Sequence, residues 1–171
     1  GVNANVGIIA RPVDFLRLGA SIQTPTAWTM SDRSNGTLLA AKEYATPDWL
    51  QDYQLRTPFK VNAGASVMLA KAGLVSVEYE YNNTRSTRLT GADGDATGFA
   101  VINQDARDMF KDVHRVKAGT EWWVLSNLAL RAGYAYQTAL TRDNACRYVM
   151  NNTTRTDMHY SLDGATHYAS A

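Results

Sequence analysis

The feature that most constrains the fold is a strict alternation of apolar and polar residues between Phe59 and Tyr81. Successive side chains of an extended strand point to opposite faces, so this alternation gives one apolar face and one polar face. The short segment Ala70–Gly73 divides the stretch into two arms. The pattern predicts a β-hairpin whose apolar face contacts either a protein core or lipid. That apolar face consists of Phe59, Val61, Ala63, Ala65, Val67 and Leu69 in the first arm and Val75, Val77, Tyr79 and Tyr81 in the second.

A second hairpin with one apolar face is predicted near the start of the chain. Its arms are Val2–Arg11 and Phe15–Gln23, and Pro12–Asp14 forms the turn between them. Much further along, the segment Tyr53–Pro58 keeps the parity of the central hairpin and is expected to extend its first strand. Because Pro58 has no backbone N–H, we expect a bulge or an interrupted pairing there.

A third hairpin is predicted towards the end of the chain. It joins His114–Trp122 to Leu128–Gln137 through a short turn around Ser126. Another strand is expected to begin at His167. The chain therefore carries six strands in three hairpins, with a seventh at its end.

Short and long connections alternate along the chain. The turns inside the hairpins are tight, whereas long connections occupy about 24–52, 83–113 and 138–166. Outer-membrane barrels alternate short periplasmic turns with long extracellular loops, and their strands have about 9 to 11 residues. A soluble sandwich has no reason to keep this rhythm. We therefore predict an all-β fold: one partial antiparallel up-and-down transmembrane β-barrel domain over 1–171, in the bacterial outer membrane. Its six to seven strands cannot close alone, since barrels start at about eight.

Every charged residue in the six predicted strand cores lies on the polar parity. A cation on the lipid face at the bilayer midplane would cost roughly 2 to 4 kcal/mol, so the polar parity is expected to face the lumen. A soluble sandwich would obey the same parity with its core. Aromatic residues near strand ends on the apolar parity favour membrane interfaces. The predicted lumen-facing polar residues are Arg17, Glu78, Glu80, Arg115, Lys117, Glu121 and Arg131.

Composition excludes some classes of protein and leaves others open. With 45% hydrophobic residues and 19% charged residues, the chain fits either a soluble domain or a barrel. The net charge of +1 gives no basic stripe, so nucleic acid is not an expected partner. The second long connection holds Ile102, Ala106, Met109 and Phe110 at helical spacing, and Asn103 is a candidate N-cap. A short amphipathic helix is predicted there.

Several segments together resemble the C-terminal half of the FadL-like outer-membrane transporters of hydrophobic compounds. They are Leu55–Gly64, Gly73–Tyr81, Leu130–Tyr136, and Arg11–Gly19 followed by Thr24–Thr26. The resemblance implies a barrel with an N-terminal plug that lets fatty acids or other apolar molecules cross the outer membrane without an energy source. The plug and the early strands of that family have no counterpart here. The remaining strands are expected from the rest of the chain or from another chain.

Two sets of residues are candidates for ligand binding. The cations Arg56 and Lys60 lie beside Pro58 and could meet a fatty carboxylate, although charged residues on neighbouring strands could instead pair with each other. Apolar residues of the connections could line a capture groove for a hydrophobic ligand, or could simply pack the loops together. This apolar set is Trp28, Met30, Trp49, Phe99, Met109 and Phe110.

No enzyme motif is found, so neither catalysis nor a cofactor is predicted. His114, His159 and His167 lack ligand-like spacing, Asp157 and His159 are a faint pair, and the single Cys146 has no partner for a disulfide. The favoured hypothesis is a passive outer-membrane channel for hydrophobic molecules, with membrane lipid and an apolar ligand as partners. The alternatives are a general porin or a structural or receptor barrel, and, in a third class, a soluble β-sandwich binding module.

Overall fold

The structure, a computed structural model, describes residues 1–39, 43–70, 72–125, 127–142, 147–149, 153–155 and 164–170. These residues form mostly antiparallel strands, together with one α-helix, α1 (Ala100–Met109), and two 3-10 turns, Thr84–Ser86 and Thr97–Phe99. The strands are β1 (Asn5–Val13), β2 (Leu16–Gln23), β3 (Ala27–Ser34), β4 (Thr37–Leu39), β5 (Glu43–Ala45), β6 (Trp49–Arg56), β7 (Lys60–Met68), β8 (Gly73–Asn82), β9 (Arg88–Gly91), β10 (Val113–Leu125), β11 (Leu128–Gln137), β12 (Arg147–Val149), β13 (Thr153–Arg155) and β14 (Thr166–Ser170).

The main sheet contains seven strands in the order β1-β2-β7-β8-β10-β11-β14, and every neighbouring pair is antiparallel. The order of these seven strands in the sheet is the same as their order along the chain. The predicted all-β, antiparallel, up-and-down arrangement of six to seven strands is therefore confirmed. Within the described residues β1 and β14 remain the two edges, so the sheet is open.

The first turn differs by two residues from the prediction. Pro12 and Val13 belong to β1, and the turn is made by Asp14 and Phe15. The pairing shifts between Ala10 and Val13, and β1 is an edge strand, where a residue without an N–H does not break a ladder. Proline therefore fails to end the strand here.

A tight turn joins β7 to β8, and Gly73 closes it. The Leu69 N–H donates to the Gly73 carbonyl over 2.8 Å. A Cβ at Gly73 would lie 2.0 Å from the carbonyl oxygen of Glu121 on the neighbouring strand β10, so any other residue would push these strands apart. The second strand of the predicted hairpin thus begins at a residue that must be glycine.

One long antiparallel ribbon runs from the main sheet into a smaller sheet. Gln23 on β2 faces Lys60 on β7, and Ala27 on β3 faces Arg56 on β6. Three residues separate these pairs on each strand, so the register is kept although Pro25 interrupts one strand and Pro58 interrupts the other. An interrupted pairing at Pro58 was predicted and is confirmed.

The ribbon corrects the expectation that Tyr53–Pro58 extends the first strand of the central hairpin. Those residues mostly belong to β6, which ends at Arg56 and lies in a separate sheet of order β3-β6-β9. The connection at 24–52 therefore consists largely of paired strands, with β4 pairing β5 beyond the end of β3. The physical cause is the proline pair, because neither Pro25 nor Pro58 can donate to a ladder.

The helix predicted in the second long connection is present, but its start differs. It begins at Ala100, with Phe99 at the N-cap position, and Asn103 lies inside it with only 4% of its surface exposed. The Asn103 amide accepts from the Leu89 N–H and donates to the Leu89 carbonyl, each over 2.7 Å. Asn103 therefore completes the edge of β9 instead of capping the helix. No helix in the described part of the chain is long and apolar enough to cross a membrane.

Candidate functional site

On β8 and β10, in the middle of the main sheet, residues of the polar face are less exposed than residues of the apolar face. On β8, Val77 is 49% exposed and Tyr79 is 41% exposed, while the Glu80 side chain between Tyr79 and Tyr81 is 14% exposed. The same alternation continues on β10, where Val116 is exposed and Arg115 and Lys117 are half-buried. Among the described residues Val113 is the one buried apolar residue. On these two strands the apolar side chains are therefore the more exposed ones.

A cavity of about 750 Å³ lies on the polar face. The register places small residues side by side across it: Gly19 faces Gly64, and Ser66 faces Ser76. Ser76 in turn faces Gly119 on β10. Because these side chains are short, the polar face is hollow at the middle of the strands and no side chain fills that space from the sheet itself.

Four of the predicted lumen-facing residues form one charge network on β8 and β10. Lys117 Nζ donates to Glu78 Oε1 over 2.8 Å and to Glu80 Oε2 over 3.4 Å. Arg115 Nη1 lies 3.3 Å from Glu80 Oε1, and Arg115 Nε donates to the Gln137 side chain over 2.9 Å. Two cations and two carboxylates balance, so these residues leave no excess charge on the cavity wall.

The remaining three predicted lumen-facing residues lie elsewhere on the same face. Arg131 Nε donates to Glu121 Oε2 over 2.9 Å near the turn between β10 and β11. Glu121 Oε1 also accepts from Trp123 Nε1 over 2.8 Å. Arg17 faces Ser66 on β7, lines the cavity, and makes no ion pair with any described residue.

The structure divides the predicted apolar ligand-binding set into two groups. In the small sheet Trp28 faces Leu55 and Met30 faces Tyr53, and the Phe99 ring lies 6.0 Å from the Tyr53 ring. These side chains form one patch. Trp49 faces Ser34 at the far end of the same strands and is 59% exposed.

Met109 and Phe110 lie at the other end of α1 and belong to a different part of the molecule. The Arg142 N–H donates to the Met109 carbonyl over 2.8 Å, and Phe110 forms an isolated bridge with Thr141. Both side chains are half-buried there. These contacts hold the C-terminal end of α1 against the segment that follows β11.

The two cationic residues predicted to bind a ligand, Arg56 and Lys60, are also separated. Lys60 begins β7 and lies between Gln23 and Asn82 on the main sheet. Arg56 ends β6 and faces Arg88 on β9, in a cavity of about 510 Å³ beside Pro25. Arg88 was not predicted as a site residue. The sequence around Arg88 does not predict a binding role, because only the pairing of β6 with β9 brings Arg88 next to Arg56.

Aromatic residues on the apolar face form two matching clusters that the sequence did not reveal. Tyr79 Oη and His114 Nδ1 lie 2.6 Å apart on β8 and β10, within hydrogen-bonding distance. Tyr134 Oη and His167 Nδ1 repeat this distance on β11 and β14. In each case a second tyrosine two residues along the strand packs on the same imidazole, with ring centroids 5.4 and 5.2 Å apart.

The region outside the main sheet contains a few groups with altered pKa values. A hydrogen bond to Asp32 raises the pKa of Tyr53, and the two groups lie 2.9 Å apart. Hydrogen bonds from Thr97 lower the pKa of Asp95. Partial burial, with Asp108 nearby, raises the pKa of Asp105 in α1.

No cluster of three or more metal-ligating side chains is assembled among the described residues. Cys146, Asp157 and His159 lie outside the described residues. A comparison with models of known protein families finds no match, and a search of curated proteins finds none. The site is therefore interpreted from its own geometry.

Proposed function

We propose that this chain forms part of a β-barrel of the bacterial outer membrane that lets hydrophobic molecules, such as long-chain fatty acids, pass without an energy source. The observation that carries the proposal is the reversed polarity of the main sheet. Apolar side chains such as Val77, Val116 and Leu130 are exposed, while the charged side chains of Glu80 and Arg115 on the other face are 14% and 33% exposed. Lipid is the solvent in which that arrangement is favourable.

The order of the strands supports the same reading. Seven strands follow one another in an antiparallel meander, as in outer-membrane barrels, and two edges are left to pair. Unpaired edge groups in lipid cost several kcal/mol each, so the barrel must be closed by further strands. A soluble sandwich would need a second layer over the apolar face, and within the described residues no element covers it.

The polar face supports a path along the barrel interior. The glycine and serine pairs leave a hollow of about 750 Å³. Beside it Glu78, Glu80, Arg115 and Lys117 neutralise one another, and Arg17 adds a positive charge that no described residue pairs. The patch of exposed Trp28 with half-buried Met30 and Leu55 is the place where an apolar molecule is first held. In this mechanism the ligand is captured on the small sheet and then moves along the polar face past its charged network.

Uptake of radiolabelled oleate tests the proposal, with the full-length protein expressed in a Gram-negative host whose own fatty-acid channel is deleted. We expect saturable uptake that requires the protein. Unchanged uptake with and without the protein would overturn the fatty-acid proposal. The same cells are tested with a small polar solute such as maltose.

A general porin is the second candidate, because the charged network makes the polar face as hydrophilic as a pore wall. Lys117, Glu78, Glu80 and Arg115 all line or adjoin the same face. A porin would admit the polar solute and show no saturable oleate uptake. The two solutes therefore separate the two functions in one experiment.

A further inference from the structure

The relation between Arg56 and Arg88 is unusual for a sheet. The two residues are direct cross-strand partners on β6 and β9. Directly opposed residues of antiparallel strands have Cβ atoms about 4.5 to 5.5 Å apart, and like charges at this spacing are destabilising. A negative charge bound between the two arginines would relieve this repulsion.

That charge is not supplied by the described part of the chain. Neither Arg56 nor Arg88 makes an ion pair or a side-chain hydrogen bond with a described residue. The nearest acidic residues along the chain form no ion pair with the two arginines: Asp93 Oδ1 accepts from the Asp95 N–H, Asp95 accepts from Thr97, and Asp52 lies four residues before Arg56, opposite Ser31. The two guanidinium groups are therefore free to bind an external group.

The cavity beside the pair is suited to such a group. It has a volume of about 510 Å³, and apart from the two arginines its lining is neutral: Pro25, Ala27, Gln54, Leu55, Thr90 and Gly94. The Gln54 amide donates to the Ala92 carbonyl over 3.0 Å and helps to fix the wall. Arginine presents its donors in a planar fork that matches the oxygens of a carboxylate or phosphate.

We propose that Arg56 and Arg88 together bind one oxyanion, a carboxylate or a phosphate, in this cavity. The site lies where the ribbon leaves the main sheet, beside Pro25 and four residues before Lys60. An amphiphile held there by its anionic end would have that end at the entrance to the polar face. This last role rests on the proposed function, whereas binding of the oxyanion does not.

Equilibrium dialysis of the full-length protein in a neutral detergent tests the site. The probes are oleate, oleyl alcohol with a similar chain and no charge, and inorganic phosphate. We expect Arg56→Gln and Arg88→Gln each to weaken oleate and phosphate binding by about tenfold, the factor for losing a charge-assisted hydrogen bond. Oleyl alcohol binding is expected to stay unchanged.

Arg33→Gln is the matched control. Arg33 lies in the same small sheet but is already paired with Asp48, so its loss is expected to leave oleate and phosphate binding unchanged. Equal oleate and phosphate binding by the wild type and both arginine variants would overturn the proposal. So would a parallel loss of oleyl alcohol binding, since an oxyanion site cannot act on a neutral ligand.

The probes also distinguish the source of the anion and the fate of the proposed function. A larger loss of oleate binding than of phosphate binding in the two arginine variants supports a carboxylate ligand, and the reverse order supports a phosphate such as that of a lipid headgroup. Arginine-dependent binding without any oleate uptake by cells would overturn the proposed transport and leave the site standing.

Discussion

Lys117 donates a 2.8 Å hydrogen bond to Glu78 on the neighbouring strand, and both side chains lie on the less exposed face of the sheet. The apolar residues on either side of Glu78, Val77 and Tyr79, point the other way and are 49% and 41% exposed. A charged pair on one face of the sheet, with exposed apolar residues on the other, is the central relationship of this fold. It leads to predictions that separate the two faces.

A cation on the apolar face is expected to destabilise the protein folded in a bilayer, while one on the polar face is tolerated. Val77→Arg and Ser76→Arg change adjacent residues of β8 on opposite faces. The first should cost roughly 2 to 4 kcal/mol in phospholipid vesicles, the penalty for a lipid-facing cation near the midplane. Urea titration of the vesicle-folded protein measures it. Equal costs for the two variants would contradict a lipid-facing apolar surface.

Glu80 is expected to matter more than Arg131. Glu80 contacts both Arg115 and Lys117 and is 14% exposed, whereas the Arg131 side chain is 73% exposed. Glu80→Ala leaves two sheltered cations short of a partner and should cost about 1 to 3 kcal/mol of unfolding free energy. Arg131→Ala should cost no more than about 1 kcal/mol.

A second substitution checks that this cost arises from the network. Adding Lys117→Met to Glu80→Ala removes one of the two cations that lost their partner. The double variant should therefore lose less unfolding free energy than the sum of the losses of the two single variants. Urea titrations of the four proteins give the coupling. Strict additivity would show that Glu80 does not act through Lys117.

The junction between the two sheets depends on a reciprocal pair of hydrogen bonds. The Thr26 N–H donates to Thr57 Oγ1 and the Thr57 N–H donates to the Thr26 carbonyl, each over 2.9 Å, and Thr26 is buried. Thr57→Val removes one acceptor and should destabilise the junction by about 1 to 3 kcal/mol. Hydrogen exchange at the Thr26 amide measures the change.

Thr57→Ser is the matched control for the junction, because it keeps the hydroxyl and loses only a methyl group. Its Thr26 amide should exchange at nearly the wild-type rate. If serine and valine accelerate exchange equally, the hydroxyl is not the group that holds the two strands together at the prolines.

Asn103 is expected to hold α1 to the edge of β9. Asn103→Leu removes both hydrogen bonds to the Leu89 backbone and should lower the local stability by about 1 to 3 kcal/mol. Faster hydrogen exchange at Leu89 and along α1 would report the loss. Gln104→Leu on the exposed side of the helix is the control, and the prediction fails if both variants give the same exchange.

Asp105 gives a pH dependence with a definite sign. Its pKa is raised by partial burial, so the folded helix holds this proton more tightly than the unfolded chain does. The helix is therefore most stable below the ordinary value of 3.8 and loses stability as the pH rises through the raised value. Hydrogen exchange of α1 measured across this range should show the decline in the wild type. Asp105→Asn should abolish the decline, and a decline that persists in this variant would exclude Asp105 as its source.

Much of the main sheet could be predicted from the sequence, because the information is local. Side chains of a strand alternate strictly, so the run from Phe59 to Tyr81 specifies two faces and a turn without reference to the rest of the chain. The ends of the strands were predicted less accurately. Phe15 lies in a turn instead of a strand, because Pro12 is tolerated in an edge strand and only the sheet order makes β1 an edge.

The small sheet and its contacts could not be predicted in this way. The pairing of β6 with β9 joins residues far apart in the chain, and it alone places Arg88 opposite Arg56. Asparagine is a common helix N-cap, yet the Asn103 side chain instead hydrogen-bonds the backbone of Leu89 at the edge of β9. The sequence by itself determined which residues share a face of each hairpin. Tertiary structure decided which distant strands meet, because backbone hydrogen bonds are the same for every residue and only the assembled register selects the partners.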